Sequence, residues 1–208
     1  MRVSFLVDGF NVYHSLADVE SEFKQKVKWL NLRRLCESYL PSLGRGATPA
    51  EFYYFSAHAT HMTTRDANVV NRHQVYIRAL QSTGVKIQLG MFKAKRVKCH
   101  HCHREFTKYE EKETDVSIAV KIFELFQQNL CDQIVLLTGD TDLIPAVVTA
   151  RRLYQKPISI IFPYKRINAA FSSVTDQQFK IKKDTYEKYQ FDDPLTVPAG
   201  EIRKPGTW

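Results

Sequence analysis

Val3-Ser4-Phe5-Leu6-Val7-Asp8 and Ile134-Val135-Leu136-Leu137-Thr138-Gly139-Asp140 decide the fold. Each is a short, almost wholly apolar run that stops at an acid. A strand in the middle of a parallel sheet needs such a run, because helices cover both of its faces. Further strands are read at the aromatic-rich Phe52–Ser56, the alternating Val85–Leu89 and the apolar Ile158–Phe162. Between them lie stretches with helical spacing: from about Asn11, Leu30–Tyr39 (closed by Pro41 and the Gly44–Gly46 loop), Arg65–Gln81, Asp115–Leu130 and Leu143–Leu153. Strands alternating with helices predict an α/β fold: a three-layer α/β/α sandwich around a mainly parallel sheet. We read residues 1–190 as one domain, with a basic loop at 93–112. Residues 191–208, which hold Pro194, Pro198 and Pro205, read as a flexible tail.

The chain has 208 residues, 44% hydrophobic and 25% charged, enough apolar material for a core and unlike a disordered chain. No window approaches the roughly 18 apolar residues of a membrane span. The apolar run at the start meets Asp8 too soon for a secretory leader, which points to the cytoplasm. Net charge is +8. Between Arg151 and Lys188 nine basic residues face three acids, and between Lys93 and Lys112 seven face three. Such stretches favour a polyanion through counterion release, although a basic solvated surface needs no partner.

In an open parallel sheet, ligands bind beyond the carboxyl ends of the strands. Asp8 follows the first buried strand there, and Asp140 and Asp142 follow another. Either motif alone also suits a turn or a helix cap. Asp115 adds a third element. It shares a helix face with Ile118, Ala119, Ile122 and Phe126, so it continues an inward stripe rather than the solvated side. If that helix packs beside the first strand, Asp8, Asp115, Asp140 and Asp142 converge. Crowded carboxylates repel unless a cation neutralises them, and oxygen donors select Mg²⁺ or Mn²⁺ over zinc. Carboxylates with such an ion beside basic surface suit phosphodiester hydrolysis.

Three stretches carry a family resemblance: Phe5-Leu6-Val7-Asp8-Gly9-Phe10-Asn11, Glu110-Glu111-Lys112-Glu113-Thr114-Asp115-Val116, and Leu137-Thr138-Gly139-Asp140-Thr141-Asp142-Leu143-Ile144-Pro145. In this order they resemble the NYN domain, in its LabA-like branch within the PIN-like nuclease group. The resemblance runs from Met1 to about Phe162. It implies a Rossmann-like, PIN-like fold and metal-dependent RNA cleavage, with acidic positions at Asp8, Asp115, Asp140 and Asp142 and a site asparagine at Asn11. Lys112 matches a basic position of the motif, and Thr138 a small hydroxyl position of structural character. Thr141 and Leu143 depart from the serine and aromatic residues common there.

Four cysteines are present. Cys36 and Cys131 read as buried thiols. Cys99-His100-His101-Cys102-His103 contains C-x₂-C, half of a zinc knuckle. His103, His100, His58, His61 or a partner chain are the available donors to complete a structural zinc site; without them it is a metal-free or redox-sensitive loop. Phe10 and Tyr13 flank Asn11, and Tyr164 follows the last strand. Exposed rings stack on RNA bases, but Phe10 reads first as core.

The expected function is a Mg²⁺- or Mn²⁺-dependent ribonuclease with Asp8, Asn11, Asp115, Asp140 and Asp142 as its catalytic residues. RNA is the expected partner, gripped by Lys112, Arg151, Arg152, Lys165 and Arg166, with a homo-oligomer also open. The rival is an RNA-binding or scaffold module with an inactive site. An aspartyl-phosphate phosphatase ranks below both, because Phe10 stands where that chemistry wants a second acid.

Overall fold

The computed structural model describes all residues, Met1–Trp208. In chain order the elements are β1 (Arg2–Asp8), α1 (Gly9–Phe23), α2 (Leu32–Glu37), α3 (Leu40–Leu43), β2 (Thr48–Ala57), α4 (Val69–Ser82), β3 (Lys86–Lys98), β4 (Glu105–Lys112), α5 (Thr114–Gln127), β5 (Gln133–Leu137), α6 (Ile144–Tyr154), β6 (Ile158–Phe162), β7 (Gln178–Lys180), α7 (Lys183–Lys188), β8 (Leu195–Val197) and β9 (Gly200–Ile202). Seven strands form one sheet in the order β4-β3-β2-β1-β5-β6-β7, parallel throughout except for the β3–β4 pair. Alternate residues of the central strands fill two cores. Phe5, Val7, Val135 and Leu137 pack with Leu16, Tyr76, Leu80 and Tyr186 of α1, α4 and α7. Leu6, Leu136 and Ile160 pack with Ile118, Ile122 and Val147 of α5 and α6. The result is the expected three-layer α/β/α sandwich. No helix is long and apolar enough to cross a membrane.

The order of the strands positions the site. From β1 the chain moves outward through β2, β3 and β4, then returns to lay β5 on the other side of β1. Strand order therefore reverses between β1 and β5, and a crevice opens beyond their carboxyl ends. Asp8 and the loop after Leu137 border it.

Two expectations change. The basic segment 93–112 is not a loop. β2 pairs with β3 only as far as Gly90, and from Met91 onward β3 pairs with β4 in unbroken antiparallel register to Lys98↔Glu105. Eight residue pairs at about 3.3 Å per residue make an arm roughly 25 Å long beyond the carboxyl edge of the parallel sheet. Its strand pattern is Phe92, Ala94 and Tyr109, Thr107 on one face against Met91, Val97 and Phe106 on the other, a period that the lysines obscure. Residues 191–208 are not loose either. Phe191 packs on Trp29 at 5.5 Å between ring centroids, β8 pairs with β9, and Trp208 meets Tyr76 at 5.5 Å. Leu195, Ile202 and Trp208 give this proline-rich stretch an apolar face, and it closes over the core around α4.

Candidate metal centre

Asp8 terminates β1 and caps α1. Its Oδ1 accepts the Asn11 N–H at 2.9 Å, and its Oδ2 accepts the Thr138 hydroxyl at 2.8 Å. Only 4% of the residue is exposed. Gly9 follows because a Cβ there would strike the Tyr54 ring and the Phe55 carbonyl. On the neighbouring strand end, Thr138 Oγ1 also accepts the Asp140 N–H at 3.0 Å, and the Gly139 N–H donates to Asn11 Oδ1 at 3.1 Å. Gly139 has no room for a side chain, since a Cβ would overlap the Arg166 carbonyl. Asp140 Oδ1 accepts the Asp142 N–H at 3.0 Å, capping the short turn Thr141–Leu143. Asp115 arrives from the other direction on the first turn of α5, after Glu113 turns the chain with φ of 80°.

These elements bring one carboxylate oxygen each from Asp8, Asp115 and Asp140 within 4.8 Å of one another. Burial first, and then the charges of Glu111 and Asp140, raise the Asp8 carboxyl to about 6 against the opposing hydrogen bonds of Asn11 and Thr138. Burial also raises Asp115 to about 6, with Asp140, Asp8 and Asp142 adding to it. Glu111 is raised for the same reasons, by burial and then by Asp115 and Asp140. Asp8, Asp115 and Glu111, raised first by burial and then by one another's charge, are thus each in a setting that a proton or a cation relieves. An oxygen-only donor set of this charge fits a hard divalent ion such as Mg²⁺ or Mn²⁺.

The sequence-predicted residues do not all meet at one place. Asp8, Asp115 and Asp140 come together. Asp142 and Asn11 border them: Asp142 is exposed and outside the group of three, and Asn11 uses its side-chain oxygen to hold the Gly139 backbone. Lys165 and Arg166 lie after β6 on the same edge, paired with Glu22 and, at 2.7 Å, with Asp18. Lys112, at the base of the arm, is 3.1 Å from Glu110.

Arg151 and Arg152 are elsewhere. They occupy the last turn of α6, roughly 10 Å of helix beyond its start at Ile144, the end that adjoins the acids. Arg151 binds Asp176 at 2.8 Å, and Asp176 accepts the N–H of Ile158 at the start of β6. Both arginines therefore sit at the amino edge of the sheet, because α6 runs back antiparallel to the strands it connects.

Sequence reasoning missed Glu111. Its register partner is Phe92, so it leaves the ribbon on the face opposite Glu110 and Lys112, and it accepts the Thr114 hydroxyl at the start of α5. The alternation of Glu110, Glu111 and Lys112 carried that signal once the segment is read as a strand. Phe10 is not core but 40% exposed, 6.2 Å from Phe92. Cys99 and Cys102 occupy the tip of the arm. His58 and His61 do not reach it: His58 Nδ1 lies 3.2 Å from His73 Nδ1, and His61 stacks on Tyr109 at 4.4 Å. The N–H groups of Cys102 and His101, and the Cys102 thiol, hold the Cys99 thiol below its ordinary range.

Comparison with known proteins agrees with this architecture. The NYN domain family model matches residues 2–182. No curated protein matches the chain. Among solved structures, a protein of unknown function from Vibrio parahaemolyticus, VPA0982, superposes with a TM-score of 0.55 at 14% identity, over 88% of this chain and 94% of that one. That likeness is one of fold. With a PIN-like sandwich and acids gathered at its switch point, the chain belongs to the NYN domain family.

Proposed function

We propose that the chain is a Mg²⁺- or Mn²⁺-dependent ribonuclease of the LabA-like branch, acting in the cytoplasm. The observation that carries this reading is the meeting of Asp8, Asp115 and Asp140, from three separate stretches, within 4.8 Å. Those three would hold the ion, with Asp142 and Glu111 at its margin. A divalent ion supplies a lowered pKa for water and neutralises charge building on the phosphate. The chain's residues do the rest. Thr138 and the Asn11 N–H fix both oxygens of Asp8, so that its charge faces the crevice in one orientation. Asn11 locks the β5–α6 loop and with it the position of Asp140. Lys165, Arg166 and the lysines at the base of the arm hold the RNA backbone beside the acids, and exposed Phe10 offers a ring to a base. Arg151 and Arg152 have no part in this grip.

Labelled mixed-sequence RNA, incubated with Mg²⁺ or Mn²⁺, tests the proposal. Cleavage is expected with wild-type protein and metal, and is lost with EDTA or in Asp8→Asn. Tight binding without cleavage under either ion would instead make this an RNA-binding module. Cleavage that survives EDTA and the substitution would refute the metal-centred reading.

A further inference from the structure

The tip of the β3–β4 arm carries two cysteines, Cys99 and Cys102, on a hydrogen-bonded turn. Cys99 donates its N–H to the Arg104 carbonyl at 2.9 Å and accepts the His103 N–H on its own carbonyl at 2.9 Å. His103 closes the turn with φ of 57°. This turn sets Cys99 and Cys102 three residues apart at the end of the ribbon. Zinc closes a structural site with four donors in tetrahedral array, at about 2.3 Å for sulfur. The tip supplies two thiols, and His100, His101 and His103 do not gather with them into a set of three donors. Nowhere but at the acidic centre does the chain place three or more His, Cys, Asp or Glu donor atoms within 4.8 Å of one another, and His58 and His61 are engaged far from the tip.

Three other features of the tip suit a second copy of the same corner. Val97 and Phe106 face each other one pair inward from the turn, Val97 half-buried and Phe106 52% exposed. Lys98 and Arg104 flank the thiols. Two such pairs of cations oppose the negative charge of a zinc ion with four thiolates. Beyond the Ala94–Tyr109 pair, where His61 stacks, four further residue pairs carry the tip roughly 13 Å outward, so two tips can meet with the domains apart.

We propose that two copies of this chain join at their arm tips around one shared zinc ion, Cys99 and Cys102 coming from each, with each Phe106 packed against the opposite arm. Each thiol gives up its proton to solvent as the zinc–sulfur bond forms.

The full chain, reduced and titrated with zinc sulfate, tests this by metal analysis and by light scattering after size exclusion. One zinc per two chains is expected, with a doubled mass that returns to the monomer on chelation. Cys99→Ser and Cys102→Ser should each lose both the zinc and the dimer. Phe106→Ser keeps all the thiols and should weaken the dimer by about tenfold or more while the zinc ratio at saturation stays the same. Cobalt in place of zinc reads the donors directly in the wild-type chain, and a four-thiolate spectrum at one cobalt per two chains is expected. One zinc per monomeric chain, no uptake by the reduced protein, imidazole donors in the cobalt spectrum, or a dimer that survives Cys99→Ser each overturns the proposal. None of these readouts depends on nuclease activity.

Discussion

The Thr138 hydroxyl donates to Asp8 Oδ2 at 2.8 Å and accepts the Asp140 N–H at 3.0 Å, so one side chain couples two of the three converging acids. A strand-end threonine thereby becomes part of the electrostatics of the centre. It steadies the ionised form of Asp8 against a burial that opposes it.

Replacing Thr138 by valine removes that bond at constant shape. A hydrogen bond to a charged group contributes about 1.5–3 kcal/mol. Thr138→Val should therefore weaken Mn²⁺ binding by about tenfold or more and lower RNA cleavage with it, while Thr138→Ser restores both. Calorimetric Mn²⁺ titration beside a cleavage assay checks this; unchanged affinity in the valine variant would count against the coupling.

The acids also set how stability depends on pH. Asp8 and Asp115 titrate near 6 in the folded chain, above their ordinary 3.8. Between those values the folded state binds protons that the unfolded state has released, so metal-free stability falls as pH rises and levels off above about pH 6. Asp8→Asn keeps the helix cap without the charge. It should flatten this slope and raise metal-free stability near pH 7 by on the order of 2–3 kcal/mol, since one unit of pKa is about 1.4 kcal/mol. Urea unfolding in EDTA across about pH 4 to 7 measures it. Mn²⁺ should stabilise wild type more at pH 7 than at pH 5, because protons compete with it. A wild-type slope that persists unchanged in Asp8→Asn would rule out Asp8 as its source.

Glu111 faces the centre without joining the group of three. Its charge is expected to draw in the ion rather than to react. Glu111→Gln should raise the Mg²⁺ concentration for half-maximal cleavage by about tenfold while the rate at saturating Mg²⁺ stays within a few-fold, a loss of roughly 1.4 kcal/mol in binding. A rate that collapses at saturating metal would make Glu111 a ligand.

Two basic residues at opposite edges of the sheet separate local from distant charge. Lys165 stands beside Gly139 through its neighbour Arg166, and Arg152 stands at the far end of α6. Each phosphate contact to a single strand contributes about 0.7 to the salt dependence of binding. Lys165→Glu should weaken RNA binding and reduce that slope by about this amount, whereas Arg152→Glu should leave the slope unchanged. Binding measured over a salt series in EDTA, without cleavage, distinguishes them.

Asp8, Asp115 and Asp140 were legible because each stands at the edge of a strongly patterned element: two apolar runs with an acid after them, and a helical stripe that an acid continues. Glu111 was not, because the lysines of 93–112 look like a solvated loop until the partner strand supplies the period. Arg151 and Arg152 were misplaced for a different reason. Their charge is plain in the sequence, but their edge of the sheet depends on the direction in which α6 returns.

The order of apolar runs and helical stripes, read without coordinates, determined a parallel sandwich and the strand ends where acids would stand. Periodicity is local, and burial of one face enforces it residue by residue. Only the tertiary structure decided that β5 lies against β1, and so which acids meet, that an arm rises from β3 and β4, and that the arginines of α6 face the other way. Those outcomes depend on pairings between distant segments, through hydrogen bonds and packing that no short window of sequence contains.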